Sequence, residues 1–193
     1  MMRTVYIGID PGMHGAIAVR GNGGIWIYDI PVTTSAVLSG NNAKEQTDID
    51  IYKLVQVVTS ILNKTRGCQV ITACEYSAGM AYAATVNRER HHDSPKTAWK
   101  IGYNFGVIRS VFAVAGIPFD LTPRPGDWKR RMELTDSKLT YSQKKNKARA
   151  KAIELFPMLQ DALKRVKDSD RAEALLLTVW AEKQRITRRL NNE

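Results

Sequence analysis

Three early stretches read as strands, Thr4 to Asp10, Gly15 to Arg20 and Gly24 to Asp29, and along the first of them Val5, Ile7 and Ile9 alternate with Tyr6, Gly8 and Asp10 at a period of two. Gly12 and Gly15 punctuate the first link, and Gly21-Asn22-Gly23-Gly24 makes the second. Links this short predict an antiparallel meander. The polar stretch from Thr33 to about Asp48 reads as a loop. Ile51, Leu54, Val55, Val58, Ile61 and Leu62 then recur at helical spacing, predicting an amphipathic helix that stops near Gly67. Val70 to Glu75 reads as a buried strand. A long apolar helix is expected from Thr97 to Ala115, ended by Gly116, and a fifth strand from Ile117 to Thr122. After the break Pro123-Arg124-Pro125-Gly126, Ser142 is placed to cap a basic helix reaching Phe156, with Pro157 ending it. A last helix runs from about Ser169 to Arg185. A meander followed by strand–helix alternation predicts an α/β fold, a mixed five-stranded sheet flanked by helices, in a single domain over 1–193.

Composition narrows the class. The chain has 193 residues, 44% hydrophobic and 25% charged, ordinary values for a globular domain with a sizeable core. No apolar run approaches the roughly 18 residues that a membrane span needs. The N-terminus enters a strand directly and lacks the apolar core of a signal peptide, so a cytoplasmic location and no membrane partner are expected. Cys68 and Cys74 have no metal-ligand spacing, and along a strand they lie roughly 20 Å apart, too far for a disulfide.

The net charge of +10 is concentrated. Between Arg124 and Lys151 there are ten Lys or Arg against three acids, Asp127, Glu133 and Asp136. Lys183, Arg185, Arg188 and Arg189 form a second basic group. Positive charge gathered in this way points to a polyanionic partner, because neutralising phosphates releases condensed counterions.

The acids carry the chemistry. Asp10 ends the first strand, on the face shared by Tyr6 and Gly8, with the small glycine leaving room beneath it for a ligand. Glu75 ends the apolar run Val70-Ile71-Thr72-Ala73-Cys74. Asp170 and Glu173 lie three apart on the last helix, hence on one face. Asp168 is a rival to Asp170. Carboxylates at the ends of buried elements cost solvation energy unless paired or bound to a cation. Oxygen donors suit Mg²⁺ or Mn²⁺, and two such ions can activate water and stabilise the leaving oxygen of a phosphodiester. The alternative for Asp170 is helix capping, with no metal at all.

The segments Ile7-Gly8-Ile9-Asp10-Pro11-Gly12, Ala73-Cys74-Glu75 and Asp170-Arg171-Ala172-Glu173-Ala174-Leu175 resemble the RuvC family of Holliday junction resolvases, over nearly the whole chain. Asp127-Trp128-Lys129 and Leu155-Phe156-Pro157 make it more similar to phage-type and chloroplast-type members. The resemblance implies an RNase H-like fold and a homodimer in which each subunit nicks one strand of a four-way junction. It implies that Asp10, Glu75, Asp170 and Glu173 are catalytic and bind two Mg²⁺ ions, with Mn²⁺ a substitute. Glu173 stands where the bacterial pattern has Asp.

A junction nuclease needs phosphate contacts near its metal. Lys144, Lys145 and Lys147 are the foremost candidates, with Lys138, Lys129 and Arg130 in support. Related enzymes insert an aromatic side chain into the junction from the region after Glu75, which makes Tyr82 or Met80 the candidate wedge. His91 and His92 read as a surface loop. The helix of 97–115 carries Ala98, Gly102 and Gly106 at four-residue spacing, with Phe105, Ile108, Val111 and Phe112 supplying apolar area for a dimer. Competing readings are a nuclease on RNA–DNA hybrid or duplex DNA and a non-catalytic binder of DNA junctions. An actin-like phosphate-binding domain is a further one. It would need a second phosphate loop, and no Gly-x-x-x-x-Gly-Lys-[Ser/Thr] motif is present.

Overall fold

The computed structural model describes residues 3–21, 23–39, 42–77, 84–86, 89–91 and 94–190. Strands β1 (Thr4–Asp10), β2 (Ala16–Gly21) and β3 (Gly24–Asp29) form the antiparallel meander expected from the glycine-marked links. Next come a hairpin of β4 (Val32–Ser39) and β5 (Asn42–Ile49), helix α1 (Ile51–Thr65) and strand β6 (Gln69–Cys74). Strand β6 pairs parallel to β1, so the sheet is mixed, in the order β3-β2-β1-β6.

Two expectations about strands are corrected. The stretch read as a polar loop is the β4–β5 hairpin, paired in register from Val32↔Ile49 to Ser39↔Asn42. Residues 32–37 are all exposed, so neither face carries the apolar alternation that marks a strand. The fifth strand shrinks to a single parallel bridge, Ala73↔Leu121. Pro118 and Pro123 have no N–H to give a ladder, and the Asp120 carboxylate accepts from Thr72 N at 2.9 Å in place of a backbone carbonyl. Short strands β7 (Ala84–Val86) and β8 (Glu89–His91) pair with each other, so His91 lies in a strand and not in a loop. His92, Met80 and Tyr82 lie outside the described residues.

Helix α2 (Pro95–Val114) starts at the N-cap Ser94, and α3 (Pro125–Arg131) begins on Pro125, a residue pre-set for a first helical turn. The basic helix α4 (Tyr141–Leu155) is capped by Thr140, not Ser142: Thr140 and Gln143 make a reciprocal capping box. Helix α5 (Ser169–Leu190) follows a 3₁₀ turn at Val166–Asp168.

Side-chain alternation along β1 divides the interior in two. Val5, Ile7 and Ile9 pack with Leu54, Val58 and Ile61 of α1 and with Ile108 and Phe112 of α2. Tyr6, on the other face, joins Trp128, Ala148, Ala152 and the apolar run Ala174–Leu177 of α5. The sheet is therefore sandwiched between α1/α2 and α3/α4/α5. Helix α5 lies directly on β1 because of Gly8: a Cβ there would stand 2.0 Å from the Ala174 carbonyl oxygen. The space beneath Asp10 thus receives helix backbone, where the sequence reading reserved it for a ligand. Ile108 and Phe112 of α2 are fully buried in this intramolecular core, whereas Phe105 and Val111 pack against it and are only partly buried.

Candidate functional site

Asp10 and Glu75 meet at one end of the sheet. Ile9 pairs with Cys74 in the parallel register, and Glu75 N continues the ladder by donating to Ile9 O at 2.9 Å. Alternation then turns both carboxylates to the α5 side. After Asp10 the chain must turn at once, and a Cβ at Gly15 would stand 2.0 Å from the Asp10 carbonyl oxygen. Gly12 N donates to Asp10 Oδ1 at 3.3 Å. The contact of Ala174 with Gly8 fixes the opening turn of α5 above this strand end, which brings Asp170 and Glu173 to the same place.

Two ammoniums lie among these acids. Lys129 Nζ, from α3, is 2.7 Å from Glu173 Oε2 and 3.5 Å from Glu75 Oε2. Lys145 Nζ, from α4, is 2.6 Å from Asp170 Oδ1 and 3.2 Å from Glu173 Oε1. Glu173, only 5% exposed, therefore has each oxygen on a different lysine. Trp128, fully buried, donates its indole N–H to Glu75 Oε2 at 2.6 Å. In the sequence Trp128 stands out only within the segment Asp127-Trp128-Lys129. A bulky polar-edged aromatic buried beside an acidic strand end is the signal for this role.

Electrostatics confirm the crowding. Burial, then Glu173, Glu75 and Asp170, push Asp10 up to about 7 from 3.8. Burial also raises Glu75, against the pull of Lys129 and the Trp128 hydrogen bond. Burial alone would lower both lysines, but Glu173 with Glu75 holds Lys129 above its usual value, and Glu173 with Asp170 does so for Lys145. Cys74, buried next to Asp10 and Glu75, has its thiol pushed well up by burial, so it is an inert core group.

Asp168 and Asp170 differ in their contacts. Asp168 is 2% exposed and accepts from Arg165 N at 2.9 Å and from the Arg165 guanidinium at 2.8 Å, with Arg171 3.5 Å away. Arg165 bonding holds its carboxyl below the usual range. Asp168 is thus held by Arg165 and Arg171, whereas Asp170 shares Lys145 with Glu173.

The other basic candidates divide by location. Lys144 is exposed and, with Lys129, Lys145, Tyr141 and Glu173, lines a cleft of about 380 Å³ between α3 and α4. Lys147 is half-buried on α4, and Lys138 is exposed on the loop before it, its backbone N–H donating to Asp136. Arg130 is exposed but lines a different cavity, with Arg124, Arg131 and Trp180. Of the C-terminal basic group, Arg185 is used internally, donating to Thr4 Oγ1, Tyr6 OH and Gln69 Oε1.

The donor set fits a hard divalent cation: four carboxylates against two ammoniums, with no imidazole or thiolate in the set. Among the described residues, however, no three His, Cys, Asp or Glu side chains stand together as ready-made ligands. The lysines lie between them. Also among the described residues, no helix is long and apolar enough to cross a membrane.

No protein-family model and no curated protein matches the chain. Among solved structures the chain is similar to T. thermophilus RuvC in complex with a Holliday junction substrate, at 15% identity over 91% of each chain and a TM-score of 0.47.

Proposed function

We propose that the protein is a Mg²⁺-dependent endonuclease that resolves branched DNA, the four-way junction foremost, by phosphodiester hydrolysis. The observation that carries this reading is the gathering of four acids at one end of the sheet: Glu75 and Glu173 pair with Lys129, Asp170 and Glu173 pair with Lys145, and all three acids act on the charge of Asp10. Those are the positions that the RuvC-like sequence segments single out, and their proximity supports the reading. A structural salt-bridge cluster accounts less well for the raised Asp10, because a group tuned only for stability would not be left short of positive charge.

Asp10, Glu75, Asp170 and Glu173 would hold two Mg²⁺ ions, with Mn²⁺ as a substitute. Bound there, the ions supply the Lewis acidity that phosphodiester hydrolysis requires. Trp128 fixes the rotamer of Glu75 through its 2.6 Å bond, so this carboxylate is presented and not searching. Lys129 and Lys145 reach the α3–α4 cleft, where a phosphate would meet Lys144 as well, and a cation there stabilises charge developing on the phosphoryl oxygens. Lys138, Lys147 and Arg130 would extend the track along the DNA backbone.

Paired nicks require two such sites, and a homodimer through α2 is the arrangement we favour. Gly102 and Gly106 are exposed with nothing within 4 Å of an added Cβ, and the exposed Trp99 and Tyr103 stack at 5.1 Å on the same helix. The partly buried Phe105 and Val111 add apolar area on the same helix.

Side-by-side cleavage of a fixed four-way junction, a linear duplex and an RNA–DNA hybrid in Mg²⁺ tests the reading. Symmetric paired nicks in the junction alone, lost in Asp10→Asn and Glu75→Gln, are expected. Preference for the hybrid would move the substrate to RNase H-like chemistry. Metal-independent binding with no cleavage would make the protein a junction binder.

A further inference from the structure

The two lysines occupy the positions where cations are needed, and this has a consequence for how the site fills. Both Glu173 oxygens are engaged, one by each ammonium. Asp170 Oδ1 accepts from Lys145 and from Ser169 Oγ, and Glu75 Oε2 is shared by Trp128 and Lys129. An incoming ion therefore meets carboxylates already paired, and must displace an ammonium to gain Glu173.

A lysine ammonium is a point charge on a flexible four-carbon stem, so it can exchange one anionic partner for another without backbone movement. Lys129 and Lys145 both border the cleft of about 380 Å³ between α3 and α4. A phosphodiester lying there offers each of them a replacement for the carboxylate it leaves.

We propose that Lys129 and Lys145 are built-in counter-cations that hold the four-carboxylate site against divalent metal until a phosphodiester draws their ammoniums off, so that metal and nucleic acid bind cooperatively. The proposal rests on the metal-dependent nuclease reading and deepens it by giving the lysines a gating role on metal entry. Linkage makes the coupling reciprocal: whatever factor DNA adds to metal affinity, metal adds to DNA affinity.

Titration of Mn²⁺, followed by the electron paramagnetic resonance of the free ion, tests this on wild type, Lys129→Met and Lys145→Met. Each protein is measured alone and with a four-way junction carrying cleavage-resistant phosphorothioate linkages at its branch point. Without DNA, each variant binds Mn²⁺ about tenfold more tightly than wild type, and the junction tightens wild-type binding by about the same factor while moving the variants far less. Lys164→Met, which removes an exposed charge elsewhere, leaves Mn²⁺ affinity at the wild-type value. A wild type that binds Mn²⁺ with variants no tighter overturns the proposal and leaves the metal site standing. No Mn²⁺ binding by any protein, with or without DNA, overturns the nuclease reading and the proposal with it. A second measurement reads the side chains directly: in wild-type protein labelled at lysine Cε, the ¹³C resonances of Lys129 and Lys145, identified by their absence from the spectra of the two Met variants, move when Mg²⁺ and the junction are added together. Unmoved lysine resonances at saturating Mg²⁺ and junction overturn the proposal.

Discussion

Replacing Asp10 by asparagine should stabilise the metal-free protein while abolishing its cleavage activity. Asp10 carries a proton affinity raised from 3.8 to about 7 by burial and by Glu173, Glu75 and Asp170. An acid that binds its proton more tightly when folded makes stability fall as pH rises between those two values and stay level above them. At about 1.4 kcal/mol per pH unit, the cost of the charge reaches about 4 kcal/mol at pH 8 and about 2 kcal/mol at pH 5. Relaxation and water entry halve such figures in practice, leaving about 2 and about 1 kcal/mol. Asparagine removes the charge, and its carbonyl oxygen can still accept from Gly12 N. In a chain of 193 residues, Tm should then rise by about 4–8 °C at pH 8 and about half that at pH 5. Thermal melts in EDTA at the two pH values measure it. A Tm that is unchanged or lower at pH 8, or a gain that does not shrink on acidification, would refute the account of Asp10 as a crowded carboxylate.

Gly8→Ala should cost about 3 kcal/mol or more and lower Tm in any buffer, because the new Cβ stands 2.0 Å from the Ala174 oxygen and 2.9 Å from Leu177 Cβ. Trp128→Phe keeps most of the packing but leaves Glu75 without its indole partner. Junction cleavage should fall about tenfold with a stability loss of about 1–3 kcal/mol by denaturant titration. Asp168→Asn should destabilise the fold at neutral pH, with the difference from wild type vanishing as pH falls through the lowered Asp168 value, and should leave Mn²⁺ binding intact. Asp170→Asn should weaken Mn²⁺ binding, and Mn²⁺ titration of the two variants separates the roles of the two acids. Thr140→Ala should cost about 1 kcal/mol in a denaturant melt through loss of the capping box that starts α4.

The meander was legible because glycines mark its links and β1 alternates cleanly, and that alternation also put Tyr6, Gly8 and Asp10 on one face. The β4–β5 hairpin was not, since residues 32–37 are all exposed and so show no period of two. The fifth strand failed for a local reason, with two prolines and a side-chain acceptor at Asp120 replacing a ladder. Of the candidate site, the four carboxylates could be read from their places at element ends. Their lysine partners could not, because Lys129 and Lys145 look like any other members of a basic stretch. What distinguishes them is which way α3 and α4 face after packing on α5, a tertiary fact with no signature in spacing. Asp168 and Asp170 were equally acidic in sequence, and only the Arg165 clamp tells them apart.

The same geometry explains why so many charges sit at one sheet end. Gly8 lets α5 come down onto β1, which forces Glu173 and Asp170 against Asp10 whether or not a cation is present. A fold selected only for stability would relieve this by removing an acid, and one such change is expected to raise Tm. Lys129 and Lys145 make the arrangement tolerable without removing it, since two ammoniums against four carboxylates leave a residual demand for positive charge. Opposite effects on stability are therefore expected from the two sides of the cluster: neutralising Asp10 stabilises, whereas neutralising either lysine destabilises and tightens metal binding. A purely structural ion-pair cluster would lose stability from both kinds of change, so the signs of these effects distinguish a site built for metal from one built for the fold.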